Sequence, residues 1–211
     1  MKNNPFDLYP FEYEDWFKEN KTLFQSELLV LKQVCPAGKN GIEIGIGSGI
    51  FAERLGIKLG IDPSENMLKL ARQRNLTVDY GFAEDLPYAD NSFNFAVFIT
   101  SICFIDNPLK ALQEAHRVVK ENGNVIVAFL DKNSSLGKIL TANKNDSKFY
   151  KTANFYSVKE IISLMEAANF IVSEVFQTLT NLENTEIEEP TKGFGKGSFV
   201  VIKGNKKDKD S

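Results

Sequence analysis

The chain has 211 residues, 43% hydrophobic and 25% charged, with a formal net charge of −3 and a pI near 5.4. That length predicts one domain with a sizeable core, and the slight acidity offers no basic face to nucleic acid or to an anionic membrane. The two cysteines, Cys35 and Cys103, lie far apart without metal-ligand spacing, no apolar run nears the ~20 residues that span a bilayer, and Met1 to Pro5 has no apolar signal core. A cytoplasmic protein with reduced thiols is expected.

Residues 6–34 are rich in aromatics and acids, and Tyr13, Trp16, Phe17, Leu28 and Leu31 fall at helical spacing. This predicts one or two helices ahead of the core sheet. Most of these side chains should pack on the sheet. Tyr9, Tyr13 and Trp16 are aromatics with polar tips, and so candidates to face a ligand.

The stretch from Gly41 to Glu53 organises the rest of the chain. Ile42 to Ile46 reads as a buried parallel strand. Glycines at 45, 47 and 49 break it, and Ile50, Phe51 and Leu55 resume on one side of a helix. Backbone amides in such a turn can approach a ligand with no Cβ in the way. A dinucleotide site needs G-x-G-x-x-G, but Ile50 stands at the third position. Glu43, two residues ahead of the turn, would repel a pyrophosphate and suits an ammonium. S-adenosylmethionine (SAM) carries an ammonium and no phosphate. The next strand, Lys58 to Asp62, ends in an acid beside the turn, where it can accept both hydroxyls of an adenosine ribose. Pro63, Ser64 and Glu65 then open a helix with Ser64 as N-cap.

Further strands are expected at 76–81, 93–100 and 124–130, and further helices at 64–74 and 107–121. Strands alternating with helices imply a parallel sheet with right-handed crossovers. Asn107 and Pro108 start the last of these helices as cap and first residue. Residues 131–156 read as a cap insertion, a helix and a loop over the pocket, with Phe149 to Tyr156 as a candidate substrate wall. Ser157 and Glu160 form a capping box. Phe170 to Gln177 and Ser198 to Lys203 read as an antiparallel pair at one edge, joined by a segment that reaches the pocket. Residues 1–205 then form a single domain and 206–211 a frayed tail.

Four stretches resemble the class I SAM-dependent methyltransferases, in that family's order. Glu43 to Gly49 looks like its motif I and Gly60 to Met67 its motif II. Gly81 to Tyr88, followed by Asn91 to Asn94, is similar to its GDAExLPF…DxSFD stretch, and Leu112 to Gly123 to its EAxRVLKPGG stretch. The nearest group is typified by ubiquinone and menaquinone methyltransferases. The resemblance covers about residues 40–130. It implies a Rossmann-like, seven-stranded, mostly parallel sheet with helices on both faces and the last strand antiparallel.

The resemblance also implies roles. Gly45, Gly47, Ser48 and Gly49 form the turn under the amino-acid part of SAM, and Glu43 answers its ammonium. Asp62, with Pro63 behind it, holds the ribose. Met67 packs beside the adenine and Ala83 and Glu84 flank it, while Phe82 either stacks on the ring or leaves the adenine amino group to Glu84, Asp85 or backbone. Ile99 and Thr100 lie under the methionyl chain. Phe82 departs from the family's usual Asp or Asn, and Asn94 from its Asp. The Asn/Asp-Pro-Pro-aromatic motif of enzymes acting on nucleic-acid amines is missing after the fourth strand, which points to a small-molecule acceptor. Tyr13, Trp16, Cys103 and Tyr150 are the candidate acceptor residues. His116 sits mid-helix and reads as structural.

Methyl transfer from SAM is an in-line displacement governed by positioning, so no metal and no assigned acid or base is expected. The product is S-adenosyl-L-homocysteine, and the protein is expected to be a monomer or homodimer. The alternative is a SAM-binding protein of the same fold that regulates without transferring.

Overall fold

The computed structural model describes residues 4–207. Strands β1 (Gly41–Ile44), β2 (Leu59–Asp62), β3 (Thr77–Tyr80), β4 (Phe93–Ile99) and β5 (Val119–Leu130) run parallel. With β6 (Phe170–Thr178), β7 (Thr191–Lys192) and β8 (Phe199–Lys206) they form one sheet, in the order β3-β2-β1-β4-β5-β8-β6-β7. β8 enters antiparallel between β5 and β6. The last strand is therefore antiparallel, as expected, but it lies inside the sheet. The sheet has eight strands, one beyond the expected seven, because Thr191 and Lys192 fold back onto Gln177 and Phe176 at the free edge of β6.

The central strands β1 and β4 read as largely apolar runs because both faces are covered. Phe95, Val97, Ile99, Ile126, Ala128 and Val201 pack toward α3 (Lys21–Val34) and α4 (Ile50–Leu55). Their alternates Ala96, Phe98, Val125, Val127, Val200 and Ile202 pack toward α6 (Pro108–Val118) and α8 (Val158–Ala167). Side-chain caps start the helices where the sequence places them. The Met67 amide donates to Ser64 Oγ, the Lys110 amide donates to Asn107 Oδ1, and the Ser157–Glu160 capping box is formed.

Two boundaries differ from the sequence reading. The helix expected to reach residue 121 stops at Val118. Val119 instead pairs with Phe93, and its carbonyl accepts from Lys206 Nζ at 2.7 Å, so its backbone is taken by the sheet. The same lysine is buried in β8, one residue inside the expected tail, of which 208–211 lie outside the described residues. No helix among the described residues is long and apolar enough to cross a membrane.

The remaining helices are α1 (Pro5–Leu8), α2 (Pro10–Glu19), α5 (Glu65–Gln73) and α7 (Ser135–Ala142). α1 is fixed to the start of α5. Ser64 Oγ donates to Asp7 Oδ1 at 2.6 Å, and Asn66 Nδ2 donates to the Asp7 carbonyl at 2.8 Å. The N-terminal helices therefore lie over the carboxyl ends of β1 and β2.

Candidate active site

In an open parallel sheet a ligand settles outside the carboxyl ends of the strands, where the strand order reverses. Here that point is β1, flanked by β2 and β4. The Gly45 and Ile46 amides both donate to the Ile61 carbonyl, at 2.8 and 3.1 Å. The Gly47 amide donates to Asp62 Oδ2 at 2.9 Å, and the Ser64 amide to Asp62 Oδ1 at 2.8 Å. One carboxylate thus ties the glycine turn to the end of β2 and to the start of α5.

The three glycines have φ of +76°, +55° and +77° but do different work. A Cβ at Gly49 would lie 2.3 Å from Leu76 Cδ1, so this glycine seats α4 against α5 and β3. A Cβ at Gly47 would meet only Met67 Cε, at 3.2 Å. That glycine faces a cavity of about 700 Å³, within the size range of small-molecule sites.

Most of the residues singled out in the sequence meet in this cavity. Gly45 and Gly47 line it from the turn after β1, Asp62, Pro63 and Met67 from the end of β2 and the start of α5, Phe82, Ala83 and Glu84 from the loop after β3, and Ile99 and Thr100 from the end of β4. Tyr13 and Trp16 on α2 and Tyr150 in the insertion line the opposite side. Glu43, Ser48 and Gly49 are not on the cavity surface. Glu43 is buried behind the turn, and one of its carboxylate oxygens finds no partner among the described residues. Cys103 is also set apart. It lines a separate void of about 10 Å³ with Tyr150 and Tyr156, and burial pushes its thiol up to about 12.

Aromatic rings close the upper wall. Phe6 meets Tyr13, Phe104 and Phe149 at centroid distances of 5.7, 5.0 and 5.5 Å, and Phe104 stacks on Tyr150 at 5.9 Å. The insertion supplies Leu136, Leu140, Phe149 and Tyr150, and the segment after β6 supplies Leu179 and Leu182. An ion pair between Lys148 and Glu12 links the insertion to α2. Phe82, 41% exposed, presents its ring at the mouth. Thr100 holds φ +51°, a strained value for a β-branched residue, and it does so where β4 opens into the cavity.

The charge of the lining is one-sided. Glu12, Glu19, Glu27, Asp62, Glu84 and Asp106 line the cavity, and no Lys, Arg or His among the described residues does. Burial raises Asp62 to about 6, against the pull of the Ser64 and Gly47 amides. Burial and the nearby Asp62 raise Glu43 well above the usual carboxylate range. Such a site repels phosphates and suits a cationic ligand. The surroundings therefore fit SAM, whose ammonium and sulfonium carry positive charge.

Sequence reasoning missed three features of the site. Glu114 on α6 accepts from the Leu86 amide at 2.9 Å, and Arg117 donates to the Leu86 and Tyr88 carbonyls at 2.9 and 2.7 Å, which fixes the loop carrying Phe82 to Glu84. Arg74 donates to the Ser48 carbonyl at 3.0 Å and pairs with Glu14, holding the glycine turn to α2. Glu27, on the buried face of α3, reaches the cavity. His116 lies away from the cavity on α6, its ring 5.3 Å from that of Phe170.

Known proteins resemble this chain in sequence and fold. Residues 42–127 match the family model described as "Methyltransferase domain". An uncharacterized protein from Methanocaldococcus jannaschii is 40% identical over 207 residues, 96% of this chain and 99% of its own length. A demethylmenaquinone methyltransferase from Oceanobacillus iheyensis is 30% identical over 104 residues, 43% of this chain and 44% of its own. The solved structure of a SAM-dependent methyltransferase from Thermotoga maritima, described as a possible histamine N-methyltransferase, superposes with a TM-score of 0.94. It is 45% identical, with 96% of this chain and 99% of that one covered. On fold, on motif order and on these full-length likenesses, the chain belongs to the SAM-dependent methyltransferase family.

Proposed function

We propose that the chain binds SAM in this cavity and transfers its methyl group to a small-molecule acceptor held beneath α2, α3 and the 131–156 insertion. The observation that carries this reading is the joining of the glycine turn to Asp62 through the Gly47 amide, at the floor of a cavity lined by acids and, among the described residues, by no cation.

When bound, SAM supplies an electrophilic methyl carbon with a neutral thioether as leaving group. The chain's own residues bind, orient and exclude water. Asp62 takes the ribose hydroxyls with the lone pairs that Gly47 and Ser64 leave free. Gly45 and Gly47 offer close backbone approach to the amino-acid end, and the buried Glu43 carboxyl stands behind the turn, where an arriving ammonium would favour its ionised form. Met67, Phe82, Ala83 and Glu84 receive the adenine, and Ile99 and Thr100 support the methionyl chain. Tyr13, Phe149 and Tyr150 face that end with aromatic rings, which attract a sulfonium by ~0.5–2 kcal/mol. The acidic lining disfavours a polyanion as acceptor, in keeping with a small molecule.

Formation of S-adenosyl-L-homocysteine from SAM across thiols, amines, carboxylic acids and hydroxylated rings tests this. The description of the T. maritima relative makes amines the class to screen first. Turnover stimulated by one acceptor class is expected. Tight SAM binding without stimulation by any class would turn the account toward a SAM-binding regulator.

A further inference from the structure

Glu27 is a carboxyl that neither the fold nor the cofactor reading uses. It is 4% exposed, sits among Phe24, Leu28 and Leu31 on α3, and lines the cavity. Among the described residues no hydrogen bond or ion pair holds it, and burial alone displaces its ionisation, up to about 8. The groups that feel its charge are the phenols of Tyr13 on α2 and Tyr150 in the insertion. Those phenols also feel Glu43, Glu14 and Cys103, and none of these is a cation. A buried carboxyl with no counter-charge resists ionising, so a cation from outside the chain is what would let Glu27 ionise, and the fold leaves it open to one.

That cation is distinct from the one at the glycine turn. Glu27 lines the cavity from α3, whereas Gly47 and Asp62 line it from the glycine turn and the end of β2. It shares the cavity wall with Tyr13 and Tyr150, the residues that α2 and the insertion bring over the strand ends. Resting on the methyltransferase reading above, we infer that Glu27 is the anchor of the methyl acceptor, and that the acceptor is an amine bound as its ammonium against the aromatic wall.

The carboxylate takes one proton from the ammonium, leaving a neutral amine and a neutral carboxyl. The nitrogen lone pair then forms the bond to the methyl carbon, while the carbon–sulfur pair withdraws onto sulfur. The N-methylammonium product carries the positive charge away, and the proton on Glu27 passes to solvent.

The test is a titration of the S-adenosylhomocysteine-loaded protein with 2-phenylethylamine and n-butylamine, each against its matched alcohol. Wild type and Glu27→Gln are compared by calorimetry, with circular dichroism to confirm the fold. Wild type should bind at least one amine tenfold or more tightly than its alcohol. Glu27→Gln should erase that preference while S-adenosylhomocysteine affinity stays within threefold. Equal binding of amine and alcohol, binding of neither, or an equal loss of S-adenosylhomocysteine in the variant overturns the proposal. Failure of the wild type to bind S-adenosylhomocysteine would overturn the underlying reading, and the proposal with it.

Discussion

Exchanging Glu27 for Gln keeps the shape of the side chain and removes its charge. In the folded chain the carboxyl keeps its proton up to about pH 8, whereas its ordinary value is 4.5. The folded value is the raised one, so across this window the unfolded state binds fewer protons and stability falls as pH rises. Each pH unit in the window costs about 1.4 kcal/mol, so between pH 5 and 8 the wild type loses on the order of 3 kcal/mol that the variant keeps. At ~2–4 °C per kcal/mol for a chain of this length, the variant should gain roughly 6–12 °C in Tm over wild type across that range. Glu43 and Asp62 are raised in the same direction, but both proteins carry them, so they cancel in the difference. The assay is thermal or urea unfolding of both proteins at pH 5, 6, 7 and 8, at constant ionic strength and without ligand. A difference that stays flat with pH would refute the reasoning, because it would mean that the carboxyl is hydrated or paired in the folded protein.

Four further outcomes are expected at the site. Gly49→Ala forces a side chain to φ +77° and drives its Cβ to 2.3 Å from Leu76 Cδ1; urea unfolding should show a loss of roughly 1–3 kcal/mol. Gly47→Ala, which meets only Met67 Cε at 3.2 Å, should cost less stability and more S-adenosylhomocysteine affinity, and the reverse order would contradict the division of labour in the turn. Arg117→Ala removes the donors to the Leu86 and Tyr88 carbonyls and leaves Glu114 half-paired. Unfolding should register about 2–3 kcal/mol, and hydrogen exchange should quicken at 82–90. Asp62, raised by burial to about 6, accepts ribose hydroxyls best when ionised. Calorimetric affinity for S-adenosylhomocysteine should therefore fall as pH drops through 6, and Asp62→Asn should flatten the profile.

The glycine turn was legible because it obeys local rules. Gly45 and Gly47 break an apolar strand where only a glycine backbone fits, and the acid at Asp62 ends the next strand within hydrogen-bond reach. The strand–helix alternation was legible for the same reason, since periodicity and caps such as Ser64 and Asn107 are written within a few residues. Long-range features were not. The place of β8 between β5 and β6 depends on which apolar strand wins the inner position, and its sequence does not distinguish inner from edge. The end of α6 at Val118 depends on Phe93 and Lys206, both distant in the chain. Glu27 did leave a signal. It falls in register with Phe24, Leu28, Leu31 and Val34 on the apolar stripe of α3, where a charge is out of place. A glutamate in a helix otherwise reads as solvated, and only the fold shows that this one faces a cavity.

The central claim is that the cavity takes SAM, and thermal unfolding with SAM, S-adenosylhomocysteine or NADH tests it most directly. A ligand at a hundred times its Kd adds ~2.7 kcal/mol, or roughly 5–10 °C for a chain of this size. The account predicts such a shift with SAM and with S-adenosylhomocysteine, and none with NADH. No shift with either SAM compound, or a shift with NADH, would contradict it.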